Sequence, residues 1–343
     1  MYERLTTEIS KSPARERQVA GADGRAAAPG AMVLRGLLAL FTIQDALLIG
    51  YLFVITALLS RAEPSEVQAQ CVRRTLACVL VMVLGAVFAR GAVSVAPAIR
   101  RTVYRAVLPG MVLMNYLSLR DVLPIVRSDT VDMALLRLDL LLFGVEPALW
   151  LERFNTRPIV EWFSFFYFSY FFICGLYMVC ALWIREPSRR TTEFAIGTAI
   201  VYCGGQLGYM AVPGYGPIVA LAHMYQAPLD GGFFWGCVSS TVQAGGAMKD
   251  IFPSLHTAGP LWFALWAFNS ARHDRRFLPF AIITAFFSAN IIISTMLLRW
   301  HYAIDVVAGV TLAVSASVLS VKLARWEEAF RARRGEAQPW IFS

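Results

Sequence analysis

Long apolar runs separated by short polar connections dominate the chain between about residues 34 and 323. Runs of about 18 or more apolar residues with few charges are typical of helices that cross the roughly 30 Å hydrocarbon core of a bilayer. The pattern predicts eight transmembrane helices. We expect them at about residues 34–60, 75–97, 106–126, 159–184, 192–212, 254–270, 277–298 and 302–323.

Two stretches depart from this simple pattern. The third predicted span is interrupted by Pro109, Arg120 and Asp121, and the apolar run at 133–143 is too short to cross a bilayer, so we expect an interfacial helix there. The pattern divides the chain into a disordered cytoplasmic tail, accessory transmembrane helices, an outer interfacial segment, a transmembrane core and a basic cytoplasmic tail. Their predicted bounds are 1–33, 34–126, 127–158, 159–323 and 324–343.

The composition agrees with a membrane protein. Of the 343 residues, 57% are hydrophobic, 16% are charged and 23 are phenylalanines. The predicted fold class is therefore an all-α polytopic membrane protein with about eight transmembrane helices and an interfacial helix. The net charge of +8 is spread over the tails and the connections between spans, so nucleic-acid binding is not expected.

Lysine and arginine are concentrated in alternate connections, and the positive-inside rule places such connections in the cytoplasm. With eight spans, five basic segments fall on one side, namely the N-terminal tail, residues 99–105, 185–190 and 271–276, and the C-terminal tail. The connection at 61–74 is an exception, because it carries three arginines on the other side. The pattern predicts that both termini are cytoplasmic and that the sixth and eighth spans begin on the extracytoplasmic side.

Two of the four histidines stand at the beginning of these two spans. His256 lies in Pro253-Ser254-Leu255-His256, and His301 is followed four residues later by Asp305, so that His301 and Asp305 share one face of a helix. Ionisable residues at such positions are costly and are usually retained for function. We therefore expect His256, His301 and Asp305 to form one site at the extracytoplasmic surface.

The chemistry of these groups points to phosphoryl transfer. An imidazole that donates to a carboxylate keeps its other nitrogen free as a base or nucleophile, and a second histidine can protonate a leaving oxygen. Ser254 is expected to cap the sixth span, where exposed amides suit phosphate oxygens, and Arg299 could neutralise charge on the phosphoryl group. No Cys/His cluster has metal-ligand spacing in the sequence, so we expect neither a metal nor a cofactor.

These motifs resemble those of the type 2 phosphatidic acid phosphatase superfamily. Pro253-Ser254-Leu255-His256 is similar to its second motif, Pro-Ser-x-His, and His301-x-x-x-Asp305 is similar to the end of its third. The resemblance implies a core of the six-helix type, His301 as a nucleophile that forms a phosphohistidine, Asp305 as its orienting partner and His256 as the general acid. It also implies lipid substrates and no metal.

The chain departs from the phosphatases of that superfamily at the residues that bind phosphate. Trp150 stands where their first motif, Lys-x6-Arg-Pro, has its lysine, and Thr295 stands where their third motif has an arginine. Three other segments instead resemble the branch that contains inositol phosphorylceramide synthase. They are Leu298-Arg299-Trp300-His301-Tyr302, Pro213-Gly-Tyr215-Gly-Pro217 and Asp139-Leu-Leu-Leu-Phe-Gly144. That branch implies transfer of a phosphorylated headgroup, such as inositol phosphate, to a lipid acceptor such as ceramide.

The phosphate-binding cations and the acceptor are left open by the sequence. Lys249, Arg157 and Arg120 lie near the outer ends of spans and are candidate cations, and Tyr215 is a further candidate for substrate binding. With water as the acceptor, the protein would be a lipid-phosphate or polyprenyl-diphosphate phosphatase. The oligomeric state is not predicted by any pattern in the chain.

A different class of protein is compatible with the polar residues of the first three spans. Asp45, Arg90, Arg120 and Asp121 could form the intramembrane relay of a transporter. Transporters commonly contain internal repeats, and no repeat relates the two halves of this sequence. The pattern therefore favours a membrane enzyme.

Overall fold

The computed structural model describes residues 39–91, 94–180, 182, 188–338 and 340. This described part contains twelve α-helices and no β-strand. In chain order they are α1 (Ile43–Leu59), α2 (Glu66–Arg90), α3 (Pro97–Val126), α4 (Asp132–Phe143), α5 (Pro147–Leu151), α6 (Arg157–Val179), α7 (Arg189–Ala211), α8 (Pro217–Ala220), α9 (Phe233–Gly245), α10 (Leu255–Ala271), α11 (Leu278–Leu297) and α12 (Ala303–Arg334). The predicted tail at 1–33 and parts of the basic segments at 185–190 and 324–343 lie outside the described residues.

Five of the described helices are long and apolar enough to cross a membrane, namely α2, α3, α6, α11 with the turn before it, and α12. The remaining predicted spans correspond to α1, α7 and α10. In α7, 16 of 23 residues are buried, and in α10, 11 of 17. Helices enclosed by protein need less apolar surface than helices that face lipid. The predicted fold class is confirmed, and the chain is an integral membrane protein.

The centre of the bundle is α10, which packs against α6, α7, α11 and α12. Trp262 is almost fully buried and donates a hydrogen bond to Thr198 Oγ1 of α7 at 3.2 Å. It lies directly over Gly197, where a Cβ would stand 2.2 Å from the indole ring. Small residues allow such close helix approach in membranes. Close packing therefore fixes the helix that carries His256 in its first turn.

Several helices extend beyond the predicted spans. α3 begins at Pro97, not near 106, and continues through Pro109, and α12 continues past 323 to Arg334. The charge of Asp121 is accommodated by an ion pair with Arg74 of α2 at 2.7 Å. The apolar pattern marks only the part of a helix that lies in lipid. Backbone hydrogen bonding continues into the polar ends, so the helix is longer than its predicted span. The connection between α7 and α10 contains the two short helices α8 and α9.

The residues predicted for a transport relay belong to two separate clusters. Asp45 pairs with Arg90 at 2.8 Å and accepts a hydrogen bond from the Tyr104 hydroxyl at 2.6 Å. Asp121 pairs instead with Arg74. Because Arg74 and Arg90 are 16 residues apart on α2, the clusters lie about 24 Å from each other along that helix. This separation argues against a continuous relay and hence against a transporter.

Candidate active site

Ser254 joins α10, which carries His256, to α12, which follows His301 in the chain. Its hydroxyl caps α10 by accepting a hydrogen bond from Thr257 N at 3.3 Å, and its own amide donates to Asp305 O of α12 at 3.0 Å. Ser254 is fully buried. A serine hydroxyl satisfies one of the free amides at a helix start. The contacts of Ser254 therefore place the first turns of α10 and α12 side by side.

His301 lies two residues before α12, which begins at Ala303, whereas Asp305 lies in the first turn of that helix. The prediction that one helical face carries both residues is therefore wrong, although the two side chains approach each other. His301 is 3% exposed and Asp305 is fully buried, and His301 Nδ1 lies 3.5 Å from Asp305 Oδ2. The same carboxylate oxygen accepts a hydrogen bond from Tyr302 N at 2.9 Å. His301 Nδ1 forms no hydrogen bond at this distance within the described part of the chain, and catalytic contacts of this kind often tighten when substrate binds.

The two histidines face each other across a short gap. The ring centres of His256 and His301 are 6.5 Å apart, with an angle of 48° between the ring planes. His256 stacks on Tyr167 at 4.1 Å and contacts Tyr170 at 4.2 Å, both from α6. Its Nε2 atom is buried and forms no hydrogen bond within the described part of the chain. Aromatic packing thus holds the ring while a titratable nitrogen remains available.

The close approach of α12 to α10 depends on Gly309. A Cβ at this position would lie 2.6 Å from Ser254 O and 3.0 Å from Thr257 Cβ. We expect Gly309→Ala to push α12 away from α10, to lower the melting temperature in detergent and to reduce turnover at least about tenfold, because overpacking costs roughly 1–3 kcal/mol. Gly50→Ala in α1 is the matched control, since nothing lies within 4 Å of its Cβ position. Equal melting and turnover of the two variants would contradict this account.

The predicted phosphate cation Arg299 is engaged by other groups. It is buried, has a left-handed backbone with φ of 66°, and donates to Ala227 O at 2.9 Å and Glu152 Oε1 at 3.2 Å. Its guanidinium also stacks on Tyr225 at 3.7 Å. In this arrangement Arg299 holds the segment before α9, and binding a phosphoryl group would require it to exchange these contacts.

The other predicted cations lie around the same end of the bundle without a contact to either histidine in the described part of the chain. Lys249 Nζ donates to Ser128 O at 2.6 Å and lies 5.5 Å from the ring centre of Tyr215, which is exposed. Arg157 is exposed and pairs with Asp230 at 3.1 Å. The exposed Arg120 packs against Gly246, where a Cβ would stand 2.9 Å from its Cδ atom. The structure brings the three catalytic candidates together with Ser254, whereas Lys249 is buried away from them and Arg157 and Arg120 are exposed.

Asp250 is a carboxylate of the site that sequence reasoning did not single out. Burial raises its pKa, and its own backbone amide, the nearby His301 and the Tyr116 hydroxyl, 3.5 Å from Oδ2, act in the opposite direction. Its position six residues before His256 was visible in the sequence, but only the fold shows that it approaches His301 as well.

Asp132 and Asp139 of α4 were also missed as parts of the site, although their seven-residue spacing in an apolar helix is a readable signal.

Burial of Glu146, between α4 and α5, predicts a pH-dependent stability. Desolvation raises the pKa of its carboxyl to about 7, and the nearby Asp139 and Asp305 carboxylates add to this, whereas the Leu149 amide opposes it. The folded state therefore holds the proton more tightly than the unfolded state, so stability is full below about pH 4.5 and falls as the pH rises towards 7. We expect Glu146→Gln to raise the melting temperature at pH 8 and to change it little at pH 4.5. An equal effect at both pH values would contradict this.

The fold and the site together define a helical integral membrane protein with two histidines and an aspartate at one end of its bundle. In the described part of the chain, no three metal-ligating side chains lie close enough to hold an ion. Residues 133–319, more than half of the chain, match the model of the PAP2 superfamily, and the chain belongs to this superfamily. The predicted superfamily is thus confirmed. Membership of the chain in this superfamily indicates phosphatase-type chemistry on lipid substrates. No curated protein and no solved structure matches the chain.

Proposed function

We propose that the protein is a lipid phosphotransferase or phosphatase that works through a phosphohistidine and needs no metal. The observation that carries this proposal is the pairing of His256 and His301 across 6.5 Å with Asp305 behind His301. A phosphoryl group midway between the ring centres would lie about 3 Å from each of them, a separation comparable with a near-attack geometry.

The proposed reaction has two steps. Because Asp305 lies on the Nδ1 side of His301, Nε2 is the free nitrogen; it attacks phosphorus, the N–P bond forms and the P–O bond to the leaving group breaks. His256 gives its proton to the departing oxygen. In the second step His256 takes a proton from the acceptor hydroxyl, whose oxygen attacks phosphorus and releases His301. Asp305 stabilises the imidazolium that exists between these steps.

Transfer to a lipid acceptor is the version of this reaction that we favour. Thr295, at the position of the phosphatase arginine, is buried and its carbonyl accepts hydrogen bonds from the Trp300 and His301 amides at 2.9 and 3.1 Å. This position therefore supports the backbone of the nucleophile and supplies no cation. His301 is also almost inaccessible to solvent, and a dry site favours a lipid hydroxyl over water. The proposed donor carries an inositol phosphate-like headgroup, and the proposed acceptor is a lipid such as ceramide.

We further propose that the site faces the extracytoplasmic side and that both termini are cytoplasmic. The alternation of basic connections supports this orientation. Arg331, Arg333 and Arg334 end α12, at the opposite end of that helix from His301, where the positive-inside rule expects them. Labelling of single cysteines introduced at Met224 and Arg333 with a membrane-impermeant maleimide on intact cells tests the orientation. Labelling of the position 333 variant alone would reverse it.

The experiment that tests the activity offers the detergent-purified protein a panel of labelled lipids. The panel contains phosphatidic acid, a polyprenyl diphosphate and phosphatidylinositol, each with and without ceramide. A new labelled lipid that forms only with ceramide supports headgroup transfer, whereas free phosphate without an acceptor supports the phosphatase alternative. Absence of both products for every donor, in protein that retains its melting transition, would contradict the proposed function.

A further inference from the structure

Two buried carboxylates of α4 face the first turn of the helix that carries Asp305. Asp132 and Asp139 are seven residues apart, so they share one face of α4 about two turns from each other. They are 5% and 0% exposed, although the opposite face is open and Leu141 is 79% exposed. Carboxylates are rarely buried without strong partners. The partners of both residues lie next to the proposed nucleophile.

Asp139 binds the backbone of α12 directly. Its Oδ2 accepts a hydrogen bond from Ala303 N at 2.7 Å, and its Oδ1 accepts one from Ile304 N at 2.9 Å. These amides are the first two of α12 and have no acceptor within their own helix. A residue 164 positions earlier in the chain thus supplies the cap that α12 needs.

Asp132 binds the connection between α7 and α8 and the side chain of Tyr302, the residue that follows His301. Its carboxylate accepts hydrogen bonds from Tyr215 N at 3.1 Å and Gly216 N at 2.9 Å, and from the Tyr302 hydroxyl at 3.3 Å. The segment that contains Gly216 also binds Arg299, two residues before His301, because Ile218 N donates to Arg299 O at 2.6 Å. The backbone on both sides of His301 is therefore anchored to one face of α4.

The cap supplied by α4 matters because Asp305 has two tasks. It is the only acidic residue in the first turn of α12, where it accepts the Tyr302 amide at 2.9 Å while standing 3.5 Å from His301 Nδ1. Without Asp139, the free amides of Ala303 and Ile304 would compete for this carboxylate. An external acceptor leaves Asp305 free to orient the histidine.

We propose that Asp139, assisted by Asp132, is a positioning residue that fixes the first turn of α12 and so keeps Asp305 available to His301. This inference rests on the proposed function of His301 as the nucleophile. Asp139 makes no hydrogen bond to His256 or His301 in the described part of the chain, and it acts through the backbone of Ala303 and Ile304. The described contacts make α4 a part of the site and not only a surface helix.

The test compares Asp139→Asn and Asp139→Ala with the wild-type protein, using short-chain phosphatidic acid and phosphatidylinositol with ceramide as the two substrates. We expect kcat to fall about 100-fold in the alanine variant, because misplacement of a reacting group by about 1 Å has an effect of that size, while KM stays unchanged. The asparagine variant should fall between the two, because its carbonyl can still accept one amide. Hydrogen exchange should become faster in peptides that cover residues 300–306.

Glu327→Gln is the matched control at the other end of α12. Glu327 is also a buried carboxylate that accepts a backbone amide, that of Ile43 at 3.3 Å, and it pairs with Arg331. The Glu327→Gln substitution should lower the melting temperature without changing kcat. Unchanged exchange at 300–306 in Asp139→Ala would overturn the inference whatever the activity, and so would faster exchange with unchanged kcat. Lack of turnover by the wild-type protein would instead contradict the proposed function, and the exchange measurement would still decide whether Asp139 caps α12.

Discussion

His301→Ala is expected to abolish turnover of every substrate, with kcat reduced by at least about 10⁴-fold. Alanine removes the nitrogen that forms the covalent bond to phosphorus, so both steps of the reaction are lost. Binding should survive, because the first turns of α10 and α12 and the apolar surface remain. The measurement is the initial rate of headgroup or phosphate release, together with the melting temperature of the variant in detergent.

His273→Ala is the matched control for the nucleophile. His273 is an exposed histidine beyond the C-terminal end of α10, where it contacts Arg190, and it lies at the opposite end of that helix from His256. Its replacement should leave the rates unchanged. If His301→Ala retained more than about a tenth of the wild-type rate, a nucleophilic role for His301 would be ruled out.

His256→Ala is expected to have an effect that depends on the leaving group. With a lipid phosphate the departing alkoxide needs a proton, so the first step should slow by about 10²–10⁴-fold, the usual contribution of a general acid. With p-nitrophenyl phosphate the leaving group departs without a proton. We therefore expect a rapid release of about one equivalent of p-nitrophenol, followed by slow turnover because the acceptor also loses its base.

Pre-steady-state measurement of p-nitrophenol separates these two steps. The wild-type protein should show no comparable difference between the two substrate classes. An equal reduction for both classes in His256→Ala, without an initial burst, would assign His256 a role in packing against Tyr167 and Tyr170 instead of proton transfer. Tyr167→Phe keeps the ring that stacks on His256 and serves as the control for packing.

The features predicted correctly from the sequence are those that depend on local pattern. Apolar runs of sufficient length define most of the spans, and alternation of their direction brings His256 and His301 to the same end of the bundle. The four-residue spacing of His301 and Asp305 predicts that the two side chains lie close together, and they do, although α12 begins only at Ala303 and His301 lies before it. These inferences need no knowledge of how the helices pack.

The features that were missed depend on contacts between distant segments. The partners of Asp139 cannot be read from its own helix, because only the fold brings it to the amides of Ala303 and Ile304. Arg299 lies two residues before the proposed nucleophile, but its backbone is left-handed and its side chain binds Glu152. A short separation in sequence predicts that two residues lie close together. Only the tertiary structure determines which partner a long side chain contacts.

The central claim is that His301 becomes covalently phosphorylated, and trapping of that species tests it most directly. The His256→Ala protein, incubated with ³²P-labelled p-nitrophenyl phosphate and quenched in alkali, should retain about one equivalent of label that is stable in base and lost in acid. Mass spectrometry should locate the added phosphoryl group on His301. Label on another residue, or turnover by the wild-type protein with no label trapped at His301 in either protein, would contradict the mechanism.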